Sequence, residues 1–147
     1  MRKSVLASAA LALITSSVLI GAGPQADAST TCSGLKCDGV PAANTPCVND
    51  AVIIDSEDHY VNGTLVGNLQ LKYSPSCRTI WGRVVSYIGD RGDALAINSK
   101  GEAGCDIIGG GTGCNSGMMY DAGVQGYAQA TLITGVDTQY TWHTISY

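Results

Sequence analysis

The sequence contains no phenylalanine, two histidines, two tryptophans and four prolines. A core built without phenylalanine must draw its aromatic weight from tryptophan and the seven tyrosines. Positive charge is also scarce: eight Lys and Arg stand against twelve Asp and Glu, for a net charge of −4. An acidic chain offers no attractive field to nucleic acid or to an anionic membrane, so neither is expected as a partner. No serine lies in a GxSxG elbow, and no Lys-Ser/Thr pair completes a phosphate-binding loop in the glycine-rich stretch. No CxxC knuckle of the kind typical of structural zinc is present. These absences lead to the expectation of no catalytic residues, no metal and no cofactor. There is no sustained 3.6-residue period and no internal repeat, which argues against helices and repeat arrays.

The amino terminus reads as a processing segment. Arg2 and Lys3 precede an apolar run from Val5 to Ile20, followed by Gly21, Gly23, Pro24 and Ala26-Asp27-Ala28. Charged, apolar and small-residue regions in that order predict a secretory signal peptide over residues 1–28. The run falls short of the roughly 20 residues that span a bilayer, and no later stretch approaches that length, so no membrane association is expected after cleavage. Cleavage removes two bases and one acid, which makes the remainder one unit more acidic.

All six cysteines, Cys32, Cys37, Cys47, Cys77, Cys105 and Cys114, follow residue 28. An even count in a small exported chain predicts three disulfides and an extracellular location. Cys105 and Cys114 bracket a glycine-rich stretch and would close a local loop; the other four pair among themselves in an order the spacing leaves open.

Residues 29–49 carry three cysteines, Pro41 and Pro46 and few long apolar side chains, which predicts a stapled, irregular arm free to reach a partner. Residues 50–147 read as one all-β domain. Ala51–Asp55 is a β-branched run, and Leu65–Tyr73 alternates apolar and polar residues. Asn62-Gly63 between them is a hairpin signal. Ser74-Pro75-Ser76 ends the second strand. Thr79–Ile88 alternates with apolar groups on both faces, predicting a central strand. Gly89-Asp90 and Arg91-Gly92 read as a turn, and Ala94–Asn98, Tyr127–Thr134 and Gln139–Tyr147 as further strands. Nine glycines between Gly101 and Gly126 mark a loose loop, within which Met118 and Met119 would form a soft contact patch. The fold class expected is all-β, a small disulfide-stapled sandwich or barrel with an irregular N-terminal arm.

Two blocks carry a resemblance. Cys32-Ser33-Gly34-Leu35-Lys36-Cys37-Asp38-Gly39, with Pro41, Cys47, Asp50 and Ala51 after it, is the first; Leu69-Gln70-Leu71-Lys72-Tyr73-Ser74-Pro75-Ser76-Cys77-Arg78-Thr79-Ile80-Trp81-Gly82-Arg83 is the second. Together they resemble the DUF2690 family, also described as YjfA-like, of small secreted actinomycete proteins. The likeness is close over Cys32–Tyr87 and weak beyond Asp93. It implies a β-rich exported domain and no particular reaction. Some members act as adaptor subunits of secreted antibacterial toxin particles, joining a lectin-like subunit to a toxin-bearing scaffold, while others stand alone or are attached to helix-turn-helix regulators.

The candidate sites follow. Arg78, Trp81 and Arg83 are binding candidates, because Trp and Arg are enriched at interface hot spots; the competing reading places Trp81 in the core with an arginine stacked on it. His59 follows Asp55-Ser56-Glu57-Asp58, a carboxylate cluster lacking the spacing of a calcium loop and read as solvated loop. His143 is read as a packed or edge-exposed ring. Asp90, Asp93, Glu102 and Asp106 would have to converge in pairs to cleave a glycan. Arg91-Gly92-Asp93 reads as a chance tripeptide, and Asn62-Gly63-Thr64 as an unused glycosylation sequon. The function expected is therefore a secreted, non-enzymatic protein-interaction module whose partner is another secreted protein. A stand-alone inhibitor, a cell-wall-binding protein and a hydrolase without a recognisable motif are the alternatives.

Overall fold

The computed structural model describes residues 31–89, 91–135 and 138–147. The predicted signal peptide lies outside the described residues.

Among the described residues, nine strands form two antiparallel sheets. They are β1 Val52–Val61, β2 Thr64–Ser74, β3 Thr79–Ser86, β4 Arg91–Asn98, β5 Gly101–Ile107, β6 Gly113–Asn115, β7 Met119–Tyr120, β8 Gly126–Thr134 and β9 Thr138–His143. The first sheet runs β1-β2-β3-β6, with β7 also pairing with β3; the second runs β5-β4-β8-β9. Of the two closed forms expected, the chain adopts the sandwich. The Asn62-Gly63 turn behaves as its chemistry dictates: both residues have positive φ, and Val61 pairs with Thr64 across it. Two positive φ values are what a two-residue type I′ hairpin requires.

Alternation puts Leu69 and Leu71 of β2 and Ile80 and Val84 of β3 against Ala94, Ala96, Ala128, Ala130 and Leu132 of the second sheet. The alanine-rich layer lets the sheets approach closely. A Cβ on Gly82 would lie 2.9 Å from the Leu95 carbonyl oxygen and 3.2 Å from Ala128 Cβ. The expectation for β3 holds: Ile80 and Val84 enter this core while Trp81 enters a second, smaller one with Cys37, Ala42, Cys47, Cys77 and Met118.

Several expectations are corrected. The arm does not extend. It folds into three 3-10 turns, Gly34–Cys37, Ala42–Asn44 and Pro46–Val48, and caps Trp81. Cys32–Cys37 staples it internally, and Cys47–Cys77 ties it to the β2–β3 turn; Cys105–Cys114 is the third bridge. The glycine-rich segment is not a loose loop throughout. It contributes β6 and β7 along one side of β3, in registers offset by one residue. At the offset, Ser116 replaces a rung of the ladder: its N–H donates to the Gly82 carbonyl and its Oγ accepts from the Gly82 N–H. The arm then pairs with the same segment, Gly39 N–H donating to Met118 O and Met118 N–H to Val40 O. Met118 and Met119 are therefore buried on opposite sides, under the arm and in the main core, rather than exposed as a patch.

β5 lies at the start of the stretch expected to be a loose loop, and β1 runs six residues past Asp55, so the Asp55–His59 cluster is strand rather than loop. Arg91-Gly92-Asp93 begins β4 instead of occupying a turn, with Gly92 buried.

Candidate binding surfaces

The three binding candidates separate. Trp81 is 2% exposed and lies beneath the arm, so its ring is not offered to a partner. Arg78 occupies the turn before β3 with φ of 54°, its guanidinium carbon 6.0 Å from the centre of the Tyr120 ring. Its carbonyl accepts from Asp121 N–H. Arg83 is exposed on the outer face of the first sheet, opposite Gln70. Lys72 shares that face, and its pKa is lowered by burial and by the Arg83 charge. Beside them Asn68 Nδ2 donates to Ser56 Oγ (2.9 Å) and Asp58 Oδ1 (2.8 Å), and Gln70 Nε2 donates to Asn68 Oδ1. Thus two of the carboxylate-cluster residues serve a cross-strand network. A cleft of about 160 Å³ between Arg83, Val85 and the β6 residues Gly113–Asn115 adjoins it.

The other half of the cluster faces inward. Pairing of Asp55, Glu57 and His59 with Leu71, Leu69 and Gly67 turns them toward the second sheet. There His59 stacks on Trp142, ring centres 4.6 Å apart at 12°, with Tyr140 tilted 5.6 Å away. Asp55 Oδ2 accepts from Ile145 N–H at 2.8 Å, and Tyr73 meets Tyr147 at 5.5 Å. These contacts join β1 and the neighbouring Tyr73 of β2 to β9 and the tail that follows it. His59 Nε2 and Trp142 Nε1 are buried without a hydrogen-bond partner.

At the same end an apolar surface is exposed. Val52 and Ile53 of β1 are 48% and 54% exposed, and Ile145 and Tyr147 are 66% and 48%. Val52 pairs with Tyr73, which contacts Tyr147, while Ile53 pairs with Lys72 and points to the outer face. Sequence reasoning passed over it because Ala51–Asp55 resembles any β-branched core strand.

Of the glycan-cleavage candidates, Asp93 and Asp106 come directly opposite on β4 and β5, while Glu102 pairs with Ile97 four residue pairs further along; Asp90 lies outside the described residues. The pair stands on the outer face of the second sheet and lines neither cleft described here. His143, exposed on β9 opposite Gln129, meets Tyr127 edge-on at 6.1 Å.

Fold and surfaces together define a small, disulfide-stapled antiparallel sandwich with a capped face and an open apolar edge. Residues 35–130 match the family described as "Protein of unknown function (DUF2690)", and the chain belongs to that family. The match runs from the first turn of the arm into β8, well past the Cys32–Tyr87 blocks that first carried the likeness. No curated protein and no solved structure matches the chain.

Proposed function

We propose that the protein is an exported, non-enzymatic interaction module that binds an extended segment of another exported protein along the free edge of β1. One observation carries this reading. Among the described residues, β1 is a ten-residue strand that pairs only with β2, and Val52, Ile53 and Tyr60 are exposed along it. An open edge supplies main-chain hydrogen bonds to an added strand, and neighbouring apolar side chains supply burial. Three disulfides suit an oxidising extracellular setting. Among the described residues, no helix is long and apolar enough to cross a membrane. The finer reading, an adaptor in a secreted toxin assembly with a lectin-like subunit or a toxin scaffold as partner, extends this proposal and rests on the resemblance alone, since the family is described only as one of unknown function.

Affinity purification of tagged protein from culture supernatant, followed by mass spectrometry, tests this. A co-eluting exported protein that is lost in Ile53→Lys, with unchanged circular dichroism, is the expected result. Elution alone at native concentration, with the protein pelleting on purified cell wall, would overturn it.

A further inference from the structure

The outer face of the second sheet carries a cleft whose shape depends on the last residues of the chain. Gln129 pairs with His143, and Gly126 and Tyr147 exchange two backbone hydrogen bonds of 3.0 and 2.8 Å. Between these pairs, Tyr127 and Ala128 face three residues, Thr144, Ile145 and Ser146. The tail therefore bulges by one residue. Thr144 sustains the bulge from inside: its N–H donates to Ala128 O, and its Oγ1 accepts from Ala128 N–H at 3.0 Å. Thr144 is 1% exposed, so the distortion is anchored in packed structure rather than in a frayed end. Bulges of this kind re-aim side chains and are over-represented beside binding sites.

The result is a cleft of about 350 Å³ lined by Tyr127, Gln129, His143 and Ser146. This volume falls within the roughly 300–1,000 Å³ typical of small-ligand sites. Its lining combines an aromatic ring, a carboxamide, an imidazole and a hydroxyl. The amide and hydroxyl each both donate and accept, and no lysine or arginine contributes. Acidic groups occupy the same sheet face: Glu102 lies in the row of Ile97 and Tyr127, and Asp93 and Asp106 in the row of Thr131. That field repels carboxylates, sulfates and phosphates.

We propose that this cleft binds a neutral pyranose sugar, one face of the ring lying on Tyr127 and its hydroxyls paired with Gln129, Ser146 and His143. The C–H groups of a pyranose face pack on an aromatic ring, while its hydroxyls require mixed donors and acceptors. The cleft shares no lining residue with β1. A single ring in an open cleft should bind at about millimolar Kd.

The test is an NMR titration of the full exported protein with the methyl glycosides of glucose, galactose, mannose and N-acetylglucosamine, with glucuronic acid as the anionic control. Saturable shifts centred on Tyr127, Gln129, His143 and Ser146 with at least one neutral glycoside are expected, with none for glucuronic acid. Tyr127→Ala should abolish them and Tyr127→Phe should keep most of the affinity. Gln129→Ala, at a half-exposed position, gives the same reading if Tyr127→Ala fails to fold. Ile53→Lys should leave sugar binding unchanged. No shift with any neutral glycoside, shifts located elsewhere, or stronger binding of glucuronic acid would overturn the proposal.

Discussion

The two long sides of the sandwich are closed by different chemistry. On one side β5 and β6 are joined by Cys105–Cys114, reinforced by a backbone bond from Gly117 N–H to Gly104 O. On the other, β1 meets β9 through the His59–Trp142 stack, and the tail after β9 meets the first sheet through the Tyr73–Tyr147 contact and the Asp55–Ile145 hydrogen bond. The first side is assembled from glycine-rich strands that have little side-chain surface to bury, so a covalent bond supplies the closure. The second has aromatic surface and needs none. Covalent closure thus falls where the side chains are smallest, and aromatic stacking closes the side where large rings are present.

The largest expected effect is on the covalent side. Replacing Cys105 and Cys114 together by alanine should destabilise the protein by about 2–3 kcal/mol, since the bridge removes loop freedom from the unfolded chain. Chemical denaturation reads the loss. Hydrogen exchange should show faster opening of β5 and β6 and little change in β1 and β9; uniform loosening would erase the distinction between the sides.

Trp142→Ala should cost about 2 kcal/mol, below the usual value for a fully buried tryptophan because the ring is only half-buried. It also removes the partner of His59. Thermal melts without a loss of this order would show that the stack does not hold the edges together.

Gly67→Ala is a finer probe of the same side. The added Cβ would lie 2.9 Å from Leu132 Cδ1 and 3.2 Å from Trp142 Cη2, so the stack must shift at a cost of about 1 kcal/mol. Near-neutral stability would mean that the ring moves freely.

The smallest effect depends on pH. Asp50, just before β1, accepts from Ser74 Oγ and Ser76 N–H, and its pKa is lowered chiefly by the Ser74 bond. Its folded pKa lies below its unfolded value, so its contribution is present above the ordinary carboxylate range and disappears as pH falls through the folded value. Asp50→Asn should flatten the acid limb of the stability curve and leave neutral stability slightly reduced. An unchanged acid limb would show that the clamp is inert.

Much of the sheet structure was readable because its signals are local. Asn62-Gly63 specifies its own turn, and Leu69 and Leu71 alternate with polar neighbours on β2 as a half-buried strand requires. The mixed faces of β3 marked a strand covered twice. β5, β6 and β7 were not readable, since glycine carries no side chain from which a period of two can be read. The acidic run before His59 was equally opaque: its alternation separates polar residues from other polar residues. The sugar cleft was hidden because Tyr127 belongs to β8 and Ser146 to the tail after β9, and the bulge joining them depends on one buried threonine hydroxyl.

By itself the sequence determined an all-β chain, the turn between β1 and β2, the central position of β3 and the local Cys105–Cys114 loop, because turn chemistry, alternation and short spacing act between near neighbours. Tertiary structure alone decided that the arm folds back over Trp81, that Ser116 stands in for a rung of the β3 ladder, and that β1 and β9 remain an uncrosslinked pair of edges. Those outcomes depend on which distant backbone groups and faces find each other when solvent is excluded. One-dimensional patterning carries no information about the partner strand that satisfies a glycine's hydrogen bonds.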